Sequence, residues 1–186
     1  MKDQPDNPRA TLLLARPNEM NGAVELADDR FDAAVKMSNG GPGESLQYAQ
    51  FLIRRTNYDR SVKILQQSLK SSPKNRPLLT ALAQVYLIQQ NWKGAEEIAG
   101  YLKQIDKDDP LSDQILGRSY AGQNDLEKSI ESFKSAHETL PNGVNTLVAL
   151  TRLYVSQGKS EEAIKFLNEI VAAAPDNYGP LHTSQP

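Results

Sequence analysis

The chain has 186 residues, and its 21 Lys and Arg against 23 Asp and Glu give a formal net charge of −2. No large single-sign field is available, so nucleic acid is a poor default partner. Cysteine is absent, which excludes disulfides and thiolate metal sites without assigning a compartment. No run approaches the ~18 apolar residues of a membrane-spanning helix, and Met1–Pro8 carries no secretory apolar core. The chain as given reads as soluble, cytoplasmic or periplasmic, with an anchor or signal further upstream left open.

Residues 1–7 read as a disordered lead. From Ala10 the chain turns apolar through Leu12, Leu13 and Leu14 until Pro17, which lacks a backbone donor and clashes with the preceding turn; a two-turn helix halted there is expected. After Asn21 and Gly22 a second helix is expected to Met37, with Val24, Ala27, Phe31, Ala34 and Val35 facing inward. Residues 8–41 therefore read as a degenerate helix pair. The run Gly40, Gly41, Pro42, Gly43 lacks the Lys-Ser/Thr pair of a phosphate loop and is expected to be a turn, with Gly40 as helix C-cap.

Helices are expected next at about residues 44–55, 59–71, 77–89, 92–104, 111–121 and 126–139. Between two of them, Asp106, Lys107, Asp108, Asp109, Pro110 alternates carboxylates like a calcium loop but lacks its glycine and closing Glu. It reads as an acidic cap for the helix near Leu111. The segment 144–175 is the clearest. Leu147, Leu150, Leu153 and Tyr154 form one helical stripe and Ala163, Ile164, Phe166, Leu167 and Ile170 the next, separated by Gln157 and Gly158, with Ser160 as the expected N-cap. No strand is expected.

The pattern repeats every 34 residues. Tyr154 steps back to Tyr120 and Tyr86; Leu150 to Leu116, Leu82 and Tyr48; Ala163 to Ser129, Ala95 and Ser61; Pro175 to Pro141 and, two steps further, Pro73. In this period and pattern the chain resembles the tetratricopeptide repeat (TPR) family, and within it bacterial multi-repeat proteins or fragments of them. The resemblance implies an all-α, right-handed superhelical solenoid of antiparallel helix pairs, with units at 42–75, 76–109, 110–143 and 144–177 and a tail or start of a further helix at 178–186. The family's small first-helix position falls on Ala49, Ala83, Gly117 and Thr151, and its bulky second-helix position on Leu65, Ala99, Phe133 and Leu167. Ser61 and Ser129 stand where the family has alanine, departures expected to weaken their units.

No residue supports catalysis. No Gly-x-Ser-x-Gly elbow exists, the only histidines are His137 and His182, and the paired acids Glu96, Glu97 and Glu161, Glu162 sit where helix starts explain them. No enzyme activity, cofactor or metal is expected. The resemblance implies a non-catalytic protein-protein interaction scaffold that takes a peptide or partner segment on a concave face lined by first helices. The family's contact positions fall on Leu46, Gln50, Arg54, Thr80, Gln84, Gln114, Arg118, Val148 and Arg152. Leu46 and Gln50 stand where carboxylate-clamping relatives carry Lys and Asn, which disfavours a chaperone cofactor of that type. The alternative is a docking or regulatory arm of a larger enzyme, or of a bacterial envelope export or polysaccharide secretion system. The apolar last helix, with no full unit after it, is expected to be covered by residues 176–186 or to associate end to end with another molecule.

Overall fold

The computed structural model describes residues 7–173. Among them are ten α-helices and no strand: α1 (Pro8–Met20), α2 (Val24–Met37), α3 (Pro42–Arg54), α4 (Tyr58–Ser71), α5 (Arg76–Ile88), α6 (Trp92–Ile105), α7 (Pro110–Gly122), α8 (Leu126–Thr139), α9 (Val144–Ser156) and α10 (Ser160–Ala173). They pack as successive antiparallel pairs from α1 with α2 to α9 with α10. The expectations for the lead, for Pro175 and His182 and for the tail lie outside the described residues.

Each pair turns at one residue in the left-handed region: Gly22, Thr56, Gln90, Asn124 and Gly158, with φ between 56° and 78°. Their numbers differ by 34 throughout. The amide after each donates to the carbonyl five residues earlier, as Ala23 to Asn18, Asn57 to Leu52 and Lys159 to Tyr154, closing the first helix of the pair. Glycine takes this conformation without a Cβ penalty, whereas the β-branched Thr56 is strained there.

Four sequence expectations are corrected. Pro17 does not halt α1: the helix runs on to Met20, and the Asn21 amide donates to the Pro17 carbonyl at 2.9 Å. Pro17 lies on an exposed face, so the missing bond costs least. Ser160 is the first residue of α10, not its cap, because the Ala163 amide already bonds the Lys159 carbonyl. Ser38, not Gly40, caps α2, and Gly40 follows as a left-handed turn residue. Ser61 and Ser129 do not sit as defects. Each is fully buried and donates its hydroxyl to the carbonyl of the small first-helix residue, Ser61 to Ala49 at 3.2 Å and Ser129 to Gly117 at 2.7 Å. A satisfied buried hydroxyl of this kind adds about 1 kcal/mol rather than subtracting.

The helices form two compact units, dividing between Lys107 and Asp108. In the first, Phe31 on α2 packs against both Tyr48 and Phe51 of α3, at 5.9 and 4.9 Å between ring centroids, over a core of Leu12, Ala15, Ala27, Ala34 and Leu52. The Tyr48 hydroxyl donates to Asp28 Oδ1 at 2.9 Å, and Arg60 donates both to Asp28 Oδ2, at 3.0 Å, and to the Tyr48 oxygen. Burial first, then the Asp28 carboxylate, pushes the Tyr48 phenol above its ordinary pKa, so α2, α3 and α4 are tied by a neutral phenol and one ion pair. A second core joins Ala49, Leu65, Leu78, Leu82 and Val85 across α3, α4 and α5.

In the second unit Phe133 on α8 packs with Leu150 and Leu153 of α9, and with partly buried Ile130 and Phe166. Gly117 on α7 lies under the Phe133 ring. A Cβ there would fall 2.7 Å from ring carbons, the close helix approach expected at the small position. Asp109 opens α7 by accepting the Leu111 amide at 2.9 Å, as the acidic loop implied.

Candidate partner-binding faces

In the first unit α3 packs against α5 and touches α1, while no comparable contact joins α2 to α4 or α4 to α6. First helices therefore approach more closely than second helices, and curvature within the unit turns the first-helix side inward. On that side Gln50 of α3 and Gln84 of α5 are both exposed, one repeat apart. Leu46 is half-buried against the second core cluster. Thr80 turns its hydroxyl back to the Arg76 carbonyl at 2.8 Å.

Arg54 is not free. Its Nε donates to Glu19 Oε1 at 3.0 Å and its Nη2 to Glu19 Oε2 at 2.7 Å, a two-point fork between α3 and α1. That hydrogen bonding is the main cause holding the Glu19 carboxyl below its ordinary pKa. Glu19 was not among the sequence candidates. Its signal is only that an acid sits at the end of one first helix and an arginine at the end of the next.

In the second unit the matching positions differ. Gln114 is half-buried, while Arg118 of α7 and Arg152 of α9 are exposed and make no ion pair among the described residues. Val148 is 42% exposed and lies a turn from Arg152, with Val144 and Val155 exposed on the same stripe of α9. The face thus offers a free guanidinium among three valines. Val144 escaped the position-by-position reading because it falls outside the family's contact positions.

Open concavities of this unit also lie on another side. Two adjoining clefts run along α8, sharing Lys134, Glu138 and Tyr154, with Glu127, Glu131 and Lys159 on one and Glu162, Lys165 and Glu169 on the other. Lys134 stands 5.9 Å over the Tyr154 ring. Acids and lysines alternate there, and the apolar floor is little more than Tyr154, Phe166 and Ile130. Among the described residues no cluster of three metal-ligating side chains is present. His137 packs edge-on to Phe166 instead. No helix among them is long and apolar enough to cross a membrane.

A profile of the tetratricopeptide repeat matches residues 52–118 and 120–183, well over half of the chain. The chain belongs to the tetratricopeptide repeat family. Among curated proteins it is similar to the TPR repeat-containing protein YpiA of Bacillus subtilis, 26% identical over 131 residues that make up 69% of this chain and 31% of that one. It is also similar to the BBSome complex member BBS4 of Bos taurus, 24% identical over 71% of this chain and 25% of that one. The chain therefore spans a third or less of the length of these relatives. Among solved structures, MamA from Desulfovibrio magneticus superposes with a TM-score of 0.70 at 18% identity, covering 92% of this chain and 96% of that one. YrrB, described as a TPR protein with an unusual peptide-binding site, superposes at 0.61 with 15% identity over 93% and 89%. These likenesses establish an all-α TPR fold of stacked helix pairs. TPR proteins are typically non-catalytic and serve protein-protein interaction.

Proposed function

We propose that this TPR chain is a non-catalytic scaffold that binds an extended or helical protein segment along the exposed faces of its first helices. The carrying observation is the pair of arginines, Arg118 and Arg152, which stand exposed at the same repeat position and make no ion pair among the described residues. Gln50 and Gln84 occupy that position in the first unit. An amide side chain both donates to and accepts from a peptide backbone, whereas a guanidinium forks onto a carboxylate. The first unit suits an uncharged, polar stretch of a partner, and the second an acidic stretch with apolar neighbours, where it meets Arg152 and its valines. Thr80, Gln114 and Leu46 shape the floor, and Arg54 lends shape through its fork to Glu19.

The test begins with capture of a partner on the immobilised chain and its identification. Affinity is then compared for Arg118→Ala with Arg152→Ala and for a control pair on second helices, Lys128→Ala with Lys165→Ala. A charge pair buried at an interface costs about 2 kcal/mol or more to break, so the arginine variant is expected to bind at least tenfold more weakly with its melting temperature unchanged. The control variant is expected to bind as the parent does. A loss confined to the control pair would move the binding surface to the second-helix clefts.

A second reading is that the chain is the docking or regulatory arm of a larger enzyme or of a bacterial envelope export or polysaccharide secretion system. The share of YpiA that it matches, 31%, favours an arm of something longer. The same face carries binding in either case, and the identity of the captured protein separates the two.

A further inference from the structure

The joints between successive helix pairs follow one rule. A bulky residue of a second helix meets two residues of the next first helix, seventeen and twenty positions later. In the first unit these are Phe31 with Tyr48 and Phe51, then Leu65 with Leu82 and Val85; in the second unit they are Phe133 with Leu150 and Leu153. All three bulky residues are buried, at 1%, 0% and 3% exposure. Two halves of this joint stand open. Leu167 of α10 holds the bulky position yet is 36% exposed, and beside it Ile164 and Val171, the counterparts of half-buried Ile130 and His137, are 60% and 43% exposed. At the other end of the helix order, Leu14 of α1 stands one repeat before Tyr48 and is 52% exposed. Pro17 stands before Phe51 and is also exposed.

We propose that the chain associates head to tail with a second copy of itself, α1 of one copy seating on α10 of the other and rebuilding between molecules the joint that α8 and α9 make within one. Leu14 and Pro17 take the places of Leu150 and Leu153, and Leu167 with Ile164 takes the place of Phe133 with Ile130. A contact of this kind joins two different surfaces, so it does not close on itself and extends with concentration.

The experiment is sedimentation velocity over a wide concentration range on the full chain, on Leu14→Asp, on the double variant Ile164→Asp with Leu167→Asp, and on an equimolar mixture of the two variants. The substituted side chains are at least one-third exposed, and circular dichroism and melting temperature check that each variant folds as the parent does. The full chain is expected to gain mass with concentration. Each variant alone is expected to associate at least about tenfold more weakly. The mixture, in which one variant keeps α10 intact and the other keeps α1, is expected to restore a species that stops at two chains. A full chain monomeric throughout would overturn the proposal, as would variants that associate like the parent or a mixture that stays monomeric. A chain lacking residues 174–186 that associates where the full chain does not would assign the α10 face to the tail instead.

Discussion

Replacing Gly117 by alanine sets two effects of opposite sign against each other. Alanine in a helix interior is favoured over glycine by about 1 kcal/mol. The new Cβ, however, would lie 2.7 Å from Phe133 Cδ2 and Cε2 and 2.9 Å from Cγ, contacts that real Cβ atoms do not make. Because Cγ is among them the whole ring must shift, and the ring is buried against Leu150 and Leu153. Overpacking of a well-filled core costs about 1 to 3 kcal/mol, so the net expectation is a loss of about 1 kcal/mol. Phe133→Leu alone leaves a void and is expected to cost about 1 kcal/mol or somewhat more. Together the two substitutions recreate the pair Ala49 and Leu65, which the first unit already packs without exposure. The double variant is therefore expected to be more stable than the sum of the singles by about 1 kcal/mol or more. Urea denaturation of the four proteins, with equal m-values as the check on two-state behaviour, measures the cycle. Additive losses would refute the reasoning, because the smallness of Gly117 would then owe nothing to Phe133.

Thr56→Gly removes a β-branched residue from φ +56°, where the sister positions 22 and 158 use glycine, and is expected to raise stability by up to about 1 kcal/mol, read as a later urea midpoint. Glu19→Gln breaks the fork to Arg54; the pair is partly exposed, so the loss at neutral pH is expected to be under about 1 kcal/mol. Since Arg54 lowers the folded-state pKa of Glu19, the contribution is present above the ordinary glutamate pKa of about 4.3 and is lost as pH falls through the lower folded value. Urea midpoints of parent and variant are accordingly expected to differ at pH 7 and to converge in acid, once the pH is below the folded-state value; a gap that persists there would mean the fork is not what Glu19 supplies.

The helix pairs were legible because burial imposes a strict spacing on large residues, and Tyr48, Leu82, Leu116 and Leu150 keep it. The turn residues were less so: all five adopt a left-handed backbone, yet only Gly22 and Gly158 advertise it, since Thr56, Gln90 and Asn124 are held there by the carbonyl bonds that close the preceding helix. Pro17 misled because the rule against helix prolines concerns one lost bond and a local clash, which an exposed face accommodates. Ser61 and Ser129 misled because a serine in an alanine position is read as polarity lost to the core, while the acceptor carbonyl is visible only once two helices touch. In the candidate faces, exposure of Gln50, Gln84, Arg118 and Arg152 followed from repeat position alone. The Glu19 partner of Arg54 did not, because an ion pair between residues 35 apart depends on side-chain reach across helices. The open halves at Leu14 and Leu167 lie between these cases: their positions were readable, their exposure was not.

The central claim, that partners lie along first helices, is tested most directly by amide hydrogen exchange of the chain with and without its captured partner. Added protection concentrated in α3, α5, α7 and α9, with α4, α6 and α8 unchanged, is the predicted result. Protection centred on α8 and α10 around Lys134 and Tyr154, with the first helices unchanged, would contradict it.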